Sequence, residues 1–371
     1  MNELKSIALA AEKLRHDAEP FLVATVVRVN GSSYRRPGAR MLVTRDLWVG
    51  GSVSGGCIEQ DVLRKGWWWT SNGEPRLVTY DAHSDEGLGW GLGAGCNGTV
   101  DVLLEPGKKD GLDPIEFIAR CYKTQQRGAI ATVFGGATPL GTHVSVTAKG
   151  GVASDGMDGA TREWIAEECR LVLDRAESKV VGCRTNAGPV DALIEVVLPP
   201  PRFFVIGVGR DAVPVVSIAS AIGWETIVCD ASARFETRER FPDADEILAA
   251  SPAEIAARAE ACDRAMAVVM AHDYERDRAC LAALLETRVG YIGMLGPRTR
   301  TARMLDDLGV PRHDPRVHAP VGLALGAETP QEIALSIVAE AQSVLTGRSA
   351  ASLREQRGSI HTPILRAGAG A

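Results

Sequence analysis

The stretch from residue 203 to residue 230 constrains the fold more than any other part of the chain. An apolar run, FFVIGVG, leads into a glycine turn and a helical segment, and a second apolar run then closes at Asp230. Gly207, Gly209 and Ala212 form a G-x-G-x-x-A pattern at the turn. Strand, glycine turn, helix and strand, with an acid about 20 residues further on, are typical of a Rossmann dinucleotide-binding unit.

Strands and helices continue to alternate after this unit. The pattern predicts strands at 264–272 and 291–296 and helices at 274–287, 297–309 and 333–347. The last of these helices is preceded by a capping box, TPQE, with proline at the first helical position. Such alternation predicts a doubly wound parallel sheet.

The chain before this region has a different pattern. Apolar and β-branched runs predict strands at 21–29, 39–44, 75–82, 99–106, 128–136, 143–148 and 192–200, with helices near the N-terminus, after Cys57, and at 114–126 and 161–176. The 371 residues suffice for two or three domains. The proline run at 199–201 marks the boundary. We therefore expect a β-rich α+β N-terminal domain (1–198), a proline linker (199–201), a Rossmann-like domain (202–348) and a flexible tail (349–371).

The segment GGSVSGGCIEQD, residues 50–61, is the strongest candidate site. Gly55 and Gly56 predict a tight turn that lets another molecule approach the backbone, and Cys57 would open the helix that follows. A helix N-terminus favours the thiolate, the form that attacks electrophiles and binds soft metals. Glu59 would orient a ligand or cap the helix. A glycine turn with a small buried cysteine is the alternative interpretation.

Two further loops carry candidate ligand contacts. The loop 31–40 contains Arg35, Arg36 and Arg40, which suit either a solvated loop or a loop that grips phosphate. Cys96 lies in a second glycine-rich stretch, EGLGWGLGAGCNG. It would face Cys57 across a pocket or pack in a tight turn, and the sequence leaves both open.

The Rossmann region carries its own candidate residues. Asp230 would hold a ribose hydroxyl, so we expect a ligand with a free ribose to bind better than one with a 2′-phosphate. Asp211 would cap the helix and compete with a pyrophosphate for its N–H groups. His272 and Asp273 end a strand near the switch point of the sheet. Arg298, with two more arginines in the next five residues, marks either a second anion site or an exposed helix start.

Composition excludes several classes of protein. The formal net charge is −6 and no basic stripe is interleaved with aromatics, which argues against nucleic acid as the partner. No apolar run approaches the roughly 20 residues of a membrane span. The eight cysteines form no C-x-x-C pair, and the N-terminal residues predict an amphipathic helix rather than a signal peptide. We therefore expect a cytoplasmic protein with reduced thiols, buried except at Cys57 and Cys96.

Several long motifs resemble one known family. VNGSSYRRPGARMLV, GSVSGGCIEQDV and the glycine-rich run around Cys96 resemble the N-terminal part of the xanthine dehydrogenase accessory (XdhC/CoxI) family. GVGRDAVP, MAHDYERD, YIGMLGPRTRTARM and PVGLALGAETPQEIALSI resemble its C-terminal Rossmann domain. The resemblance implies a chaperone that binds the molybdenum cofactor, as the pterin or its dinucleotide form. Such a protein assists sulfuration with a cysteine desulfurase and hands the cofactor to a molybdenum hydroxylase apoenzyme.

The resemblance also implies roles for single residues. Cys57 would be a ligand of the molybdenum or a sulfur relay, in keeping with the affinity of this metal for thiolates. One branch of the family has histidine where this chain has Arg210, so a role of that histidine is not carried over. The client, of xanthine dehydrogenase or carbon monoxide dehydrogenase type, stays open. We expect a homodimer and a maturation factor without turnover. An NAD(P)-dependent oxidoreductase is the alternative.

Overall fold

The computed structural model describes residues 3–31, 33–81, 98–107, 111–185, 188–231 and 235–355. The chain divides into two compact units, with the division between Pro199 and Pro200. Among the described residues, no helix combines the length and the apolar character needed to cross a bilayer.

The N-terminal unit contains four helices and ten strands within the described ranges. They are α1 (Glu3–His16), β1 (Leu22–Gly31), β2 (Arg40–Val43), β3 (Trp48–Gly51), α2 (Cys57–Trp69), β4 (Arg76–Asp81), β5 (Gly98–Pro106), α3 (Pro114–Thr124), β6 (Gly128–Gly136), β7 (His143–Thr147), β8 (Val152–Ser154), α4 (Gly159–Arg175), β9 (Lys179–Thr185) and β10 (Gly188–Val197). The strands form two antiparallel sheets of five strands each.

These two sheets are copies of one arrangement. Their strand orders are β3-β2-β1-β5-β4 and β8-β7-β6-β10-β9, so each strand of the second sheet lies where the strand five places earlier lies in the first. Each half of the unit runs helix, three strands, helix, two strands. The N-terminal unit is therefore an internal repeat. We call its halves the first repeat (α1 to β5) and the second repeat (α3 to β10).

The repeat extends to the register of individual residues. Thr25 pairs with Arg40 in the first repeat, and Thr132 pairs with His143 in the second. The sequences VDVLLE (100–105) and VDALIE (190–195) occupy equivalent parts of β5 and β10. Each sheet buries one face against its own second helix, α2 or α4. The other faces meet through the equivalent pairs Val27 with Phe134 and Leu103 with Leu193.

Two buried contacts, an ion pair and a hydrogen bond between a histidine and a glutamate, join the repeats in a crossed manner. Arg40 Nη1 of the first repeat lies 2.8 Å from Glu195 Oε1 of the second. His143 Nε2 of the second repeat lies 2.9 Å from Glu105 Oε1 of the first. Reciprocal contacts of this kind are the signature of twofold packing, here between two halves of one chain. Burial lowers the pKa of Arg40, but the charge and hydrogen bonds of Glu195 outweigh it, and the pKa is raised overall.

The structure therefore corrects one expectation from the sequence. Arg40 is 1% exposed, and both of its Nη atoms bind Glu195. It fastens two sheets together and is not presented to an anion by the loop that precedes it.

The C-terminal unit contains six helices and six strands within the described ranges. They are β11 (Arg202–Ile206), α5 (Ala212–Ala221), β12 (Glu225–Cys229), α6 (Phe235–Arg240), β13 (Glu246–Leu248), α7 (Pro252–Glu260), β14 (Ala265–Val269), α8 (Tyr274–Leu285), β15 (Ile292–Met294), α9 (Arg298–Asp307), β16 (Val317–His318) and α10 (Pro330–Thr346).

The six strands form one parallel sheet in the order β13-β12-β11-β14-β15-β16. Side chains of β11 alternate between the faces: Phe203 and Val205 pack with α5 and α10, whereas Phe204 and Ile206 pack with α7, α8 and α9. Helices on both faces of a parallel sheet confirm the predicted doubly wound Rossmann-like fold. The strand order reverses between β11 and β14, which makes the carboxyl ends of these strands the switch point.

Candidate functional site

Cys57 lies at an open, glycine-built turn. The segment after β3 turns at Gly56, whose φ of 124° suits glycine, and Cys57 is the first residue of α2. The cysteine is exposed. Among the described residues, a methyl group placed on Gly55 or Gly56 would meet nothing within 4 Å. The described part of the chain therefore leaves space for a ligand beside the thiol and the neighbouring backbone.

The Glu59 side chain holds the backbone of this turn by hydrogen bonds. Its side chain is buried, Oε1 accepts from the N–H groups of Val53 (2.9 Å) and Ser54 (2.7 Å), and Oε2 accepts from Gly56 N–H (3.0 Å). Burial raises the pKa of the Glu59 carboxyl, but the hydrogen bonds from Ser54 and the backbone outweigh it and hold the pKa below the ordinary value. Of the two roles that the sequence left open for Glu59, capping is the one its contacts fulfil.

Ser54 is a part of the turn that was not predicted. Its Oγ donates to the Glu59 carboxylate and accepts from the N–H groups of Gly56 and Ile58, each at 3.2 Å. The same Oγ lies 3.9 Å from Cys57 Sγ. A small hydroxyl residue just before a helix start is a signal that would have singled it out. Ser54 and Glu59 together fix the backbone that carries the thiol.

The second repeat offers an internal comparison for this turn. Its equivalent helix, α4, begins at Gly159 after an N-cap aspartate, Asp158, whose Oδ1 accepts from Thr161 N–H at 2.9 Å. Gly159 thus stands where the first repeat has Cys57. The same fold therefore starts its helix with an ordinary aspartate cap, and the Gly-Gly-Cys sequence is not a requirement of the architecture.

The arginine loop is connected to the cysteine turn through one acid. Arg35 Nη2 donates to Glu3 Oε1, and the N–H of Ser52 donates to the same oxygen at 3.3 Å. Arg36, the next residue along, is exposed. The structure thus brings the loop that carries Arg36 into the neighbourhood of residues 52–57. Cys96, the other thiol predicted for this site, lies outside the described residues.

The described cysteines differ in exposure. Cys57 is the exposed one among the seven, Cys183 and Cys262 are half-buried, and the other four are buried. The expectation that all other thiols lie in the core is therefore wrong for these two. In the described part of the chain, no cluster of three or more histidine, cysteine or acidic side chains could hold a metal ion. Among the described residues, the soft ligand that the turn offers is Cys57.

The Rossmann turn is closely packed against the strand beside it. Gly207 has a φ of 130°, and a Cβ there would lie 2.6 Å from the carbonyl oxygen of Met270. A Cβ on Gly209 would lie 2.4 Å from Asp211 Oδ1 and 3.8 Å from His272 Cδ2. The backbone of Met270 thus requires glycine at position 207, whereas a Cβ at position 209 would displace the Asp211 side chain. At Gly209 the groups that approach are a carboxylate and an imidazole.

Asp211 does not cap helix α5, contrary to the expectation from sequence. Its backbone is already helical, with φ −73° and ψ −20°, and its side chain makes no capping hydrogen bond. An N-cap side chain normally reaches the helix N–H groups from an extended backbone. The carboxylate instead binds the side chain of His272, with 2.7 Å between Oδ2 and Nε2. The pair brings together two residues that the sequence treated separately.

Asp230 directly follows β12, and its carboxylate already has a partner. Its side chain is 2% exposed, and Oδ2 accepts from Arg276 Nη1 at 2.7 Å. Arg276 was not predicted, because the contact joins residues 46 positions apart. Asp273 caps α8, accepting from Arg276 N–H at 2.8 Å.

The three arginines at the start of α9 have different contacts, although Arg300 and Arg303 both lie over the ring of Tyr274. Arg298 is exposed. Arg300 Nη1 binds the buried carboxylate of Asp277 at 2.7 Å. The guanidinium of Arg303 lies over the ring of Tyr274, 5.3 Å from its centroid. Arg298 and Arg303 are both exposed, whereas Arg300 is half-buried.

Comparison with known proteins gives consistent relatives for both units. The model of the XdhC and CoxI family matches residues 14–81, and the model of the XdhC Rossmann domain matches residues 203–341. A probable xanthine dehydrogenase component from Bacillus subtilis (strain 168) is 31% identical to the chain over 329 residues, covering 89% of this chain and 94% of that protein.

Two further relatives extend this result. The molybdenum cofactor insertion chaperone PaoD of Escherichia coli (strain K12) is 26% identical over 329 residues, covering 87% of this chain and 83% of PaoD. A crystal structure described as a xanthine dehydrogenase from Bacillus halodurans superposes with a TM-score of 0.76 at 30% identity, covering 95% of this chain and 98% of that one.

Proposed function

Because the chain belongs to the XdhC and CoxI family of xanthine dehydrogenase accessory proteins, we propose that it is a maturation factor for a molybdenum hydroxylase. It binds the molybdenum cofactor, supports its sulfuration with a cysteine desulfurase, and delivers it to the apoenzyme. The client is of the xanthine dehydrogenase or carbon monoxide dehydrogenase type. The relative named as a molybdenum cofactor insertion chaperone supports this role.

The observation that carries the proposal is the exposed thiol of Cys57 on a turn that the fold does not need. The turn is built by Glu59 and Ser54, whose side chains make their hydrogen bonds to its backbone and to each other. The second repeat begins the equivalent helix without a thiol. A residue kept exposed where the architecture does not demand it is better explained by binding or chemistry than by packing.

The donor set suits the cargo. In the molybdenum cofactor the metal already has a dithiolene from the pterin, so the carrier protein needs to add few ligands. A single thiolate is a soft ligand of the kind that such a centre accepts. As a sulfur relay, the same accessible thiol would receive sulfur from the desulfurase. Gly55 and Gly56 leave room for the cargo beside it, and Arg36 supplies positive charge for the cofactor's phosphate.

The Rossmann unit has a separate part in the proposal. It takes a phosphate-bearing ligand, either the nucleotide of a dinucleotide cofactor or NAD(P), at the turn formed by Gly207 and Gly209. For NAD(P) we keep the proposal that a ligand with a free ribose is preferred over one with a 2′-phosphate, because the Asp230 carboxylate directly after β12 would repel that phosphate. We further propose that the protein is a homodimer, the commonest assembly of soluble oligomers. Light scattering tests this directly, since a monomer has a mass of 39.5 kDa.

The decisive experiment is loading of the purified full chain with molybdenum cofactor, followed by absorbance of the protein fraction after gel filtration. The parent should retain the cofactor chromophore, and Cys57→Ser should lose most of it. Serine nearly preserves the volume, so the free energy of unfolding should change by no more than about 1 kcal/mol. Cys183→Ser, a half-buried thiol of the second repeat, is the matched control and should load like the parent.

Client activation gives the second readout. Apo-hydroxylase incubated with loaded parent should gain activity, and with Cys57→Ser it should gain little. If Cys57→Ser loads and activates like the parent, the thiol has no chemical role. Oxidation of NADH by the unloaded protein, without cofactor binding, would favour the NAD(P)-dependent oxidoreductase instead.

A further inference from the structure

The segment that follows β14 reaches across the switch point of the Rossmann sheet. β12 and β14 lie on opposite sides of β11. From the β14 side, His272 binds Asp211, which follows β11, and Arg276 binds Asp230, which follows β12. Two pairs of side chains therefore connect this segment to the β-α-β unit at the edge where ligands bind in doubly wound sheets.

The two pairs differ in burial. In the pair of Arg276 and Asp230 the acid is 2% exposed, so this pair is a fixed anchor. In the pair of His272 and Asp211 the side chains are 59% and 28% exposed. Water and solutes reach both partners of this second pair, so its carboxylate can be replaced without opening the core.

The backbone of His272 is held in an uncommon conformation. Its φ is 60°, and both neighbours are fixed: Ala271 N–H donates to the buried Asp277 at 3.1 Å, and Asp273 caps α8. A non-glycine residue in this region persists only when its surroundings impose it, and such residues concentrate at functional sites. The imposed conformation directs the imidazole to the carboxylate that lies against Gly209.

We propose that His272 is the phosphate-binding residue of this crevice and that Asp211 is its resident competitor. The anionic group of a nucleoside diphosphate replaces the Asp211 carboxylate on His272, while the pair of Arg276 and Asp230 keeps the segment in position. Because Gly209 has no side chain, either the Asp211 carboxylate or a phosphate can lie directly against the turn. One can therefore replace the other without a movement of the backbone. The inference rests on the part of the proposed function that gives the Rossmann unit a phosphate-bearing ligand.

Calorimetric titration of the full chain with ADP tests the exchange, with adenosine as the phosphate-free probe. Asp211→Asn should bind ADP about tenfold more tightly than the parent, because a competitor that occupies the binding residue lowers apparent affinity by the fraction it occupies. His272→Asn should bind ADP about tenfold more weakly, since asparagine tolerates the positive φ but removes the imidazole. The double variant should match His272→Asn.

Glu275→Gln is the matched control, since Glu275 is exposed in the same segment and binds Arg278. It should bind ADP like the parent. The proposal is overturned if Asp211→Asn binds ADP no more tightly than the parent, if its gain persists in the double variant, or if adenosine gains equally. Absence of ADP binding in both parent and Asp211→Asn also overturns it. Cys57 is untouched in these variants, so cofactor loading reports on the proposed function separately.

Discussion

Arg40 of the first repeat binds Glu195 of the second, and His143, which occupies the position equivalent to Arg40 in the second repeat, binds Glu105 of the first. Gly38 and Gly141, which lie two residues before Arg40 and His143, are equivalent as well. A Cβ on Gly38 would lie 2.6 Å from Glu195 Oε1, and a Cβ on Gly141 would lie 2.9 Å from Glu105 Oε1. The two repeats are thus joined by two equivalent contacts, each between a basic residue of one repeat and a glutamate of the other.

Breaking the first of these pairs should strongly destabilise the N-terminal unit. Glu195→Gln leaves the buried Arg40 charge without its counterion, and such a loss costs about 3–5 kcal/mol. Arg170→Gln, in an exposed pair with Glu167, should cost much less, because solvent screens this pair. Urea unfolding followed by tryptophan fluorescence measures both, because six of the seven tryptophans precede Pro199. Equal costs for the two variants would contradict the assigned role of the pair.

Equivalent glycines of the repeats should show equivalent penalties. Gly38→Ala and Gly141→Ala each combine a positive φ with a clash against the acid of an inter-repeat pair, and at Gly141 the ring of Pro75 is also 2.7 Å away. Such overpacking adds about 1–3 kcal/mol. Gly150→Ala also has a positive φ but meets no described atom within 4 Å, so it isolates the backbone cost. We expect the first two variants to lose more stability in urea than the third, and by similar amounts. A small effect at Gly141 alone would mean that the second contact is not equivalent.

Acid should loosen the Cys57 turn through Glu59. Its pKa is lowered in the folded protein, so the ionised carboxylate stabilises the fold. That contribution is complete above the ordinary value of 4.5 and is lost as the pH falls through the lower folded-state pKa. Glu59→Gln should cost about 1–3 kcal/mol at pH 7, because buried N–H groups lose an acceptor. Unfolding measured from pH 7 to pH 3 should show this difference shrinking, and a constant difference would refute the assignment.

The two glycines before Cys57 should separate folding from binding. Gly56→Ala forces a side chain into φ 124° and should cost about 1–3 kcal/mol. Gly55→Ala meets no neighbour and should change stability by less than about 0.5 kcal/mol. Its methyl group nevertheless occupies the space beside the thiol, so cofactor loading should fall several-fold. Cofactor loading is measured by absorbance. If Gly55→Ala loads as much cofactor as the parent, the cofactor does not occupy the space beside Gly55.

The sequence predicted the elements that bury long apolar runs. The strands β11, β12 and β14 and the capping box at Thr329 are found where expected, because continuous β-branched runs and cap residues are local signals. The edge strands β3, β8 and β9 were not predicted. β3 and β8 span only four and three residues, and in β9 half-buried and exposed residues alternate without a buried apolar face. The elements between Phe235 and Glu260 were not predicted either.

What the sequence did not predict depends on contacts between distant residues. The sequence around Arg40 was consistent with a loop that binds an anion. Its actual partner, Glu195, lies 155 residues further along the chain and cannot be identified from local sequence. Asp211 suited a cap, and the helical backbone that prevents capping cannot be read from residue type. The repeat itself leaves only scattered identities, such as VDVLLE and VDALIE, whose equivalence is fixed by strand register.

The repeat also bears on how much cargo one chain carries. Two separate copies of the module would have to be identical, and each would display the same turn. Joined in one polypeptide, the copies are free to diverge, and here one has Cys57 where the other has Gly159. If Cys57 holds the cofactor as proposed, the expected stoichiometry is one cofactor for each chain, and the second repeat supports the first without a thiol of its own at this position.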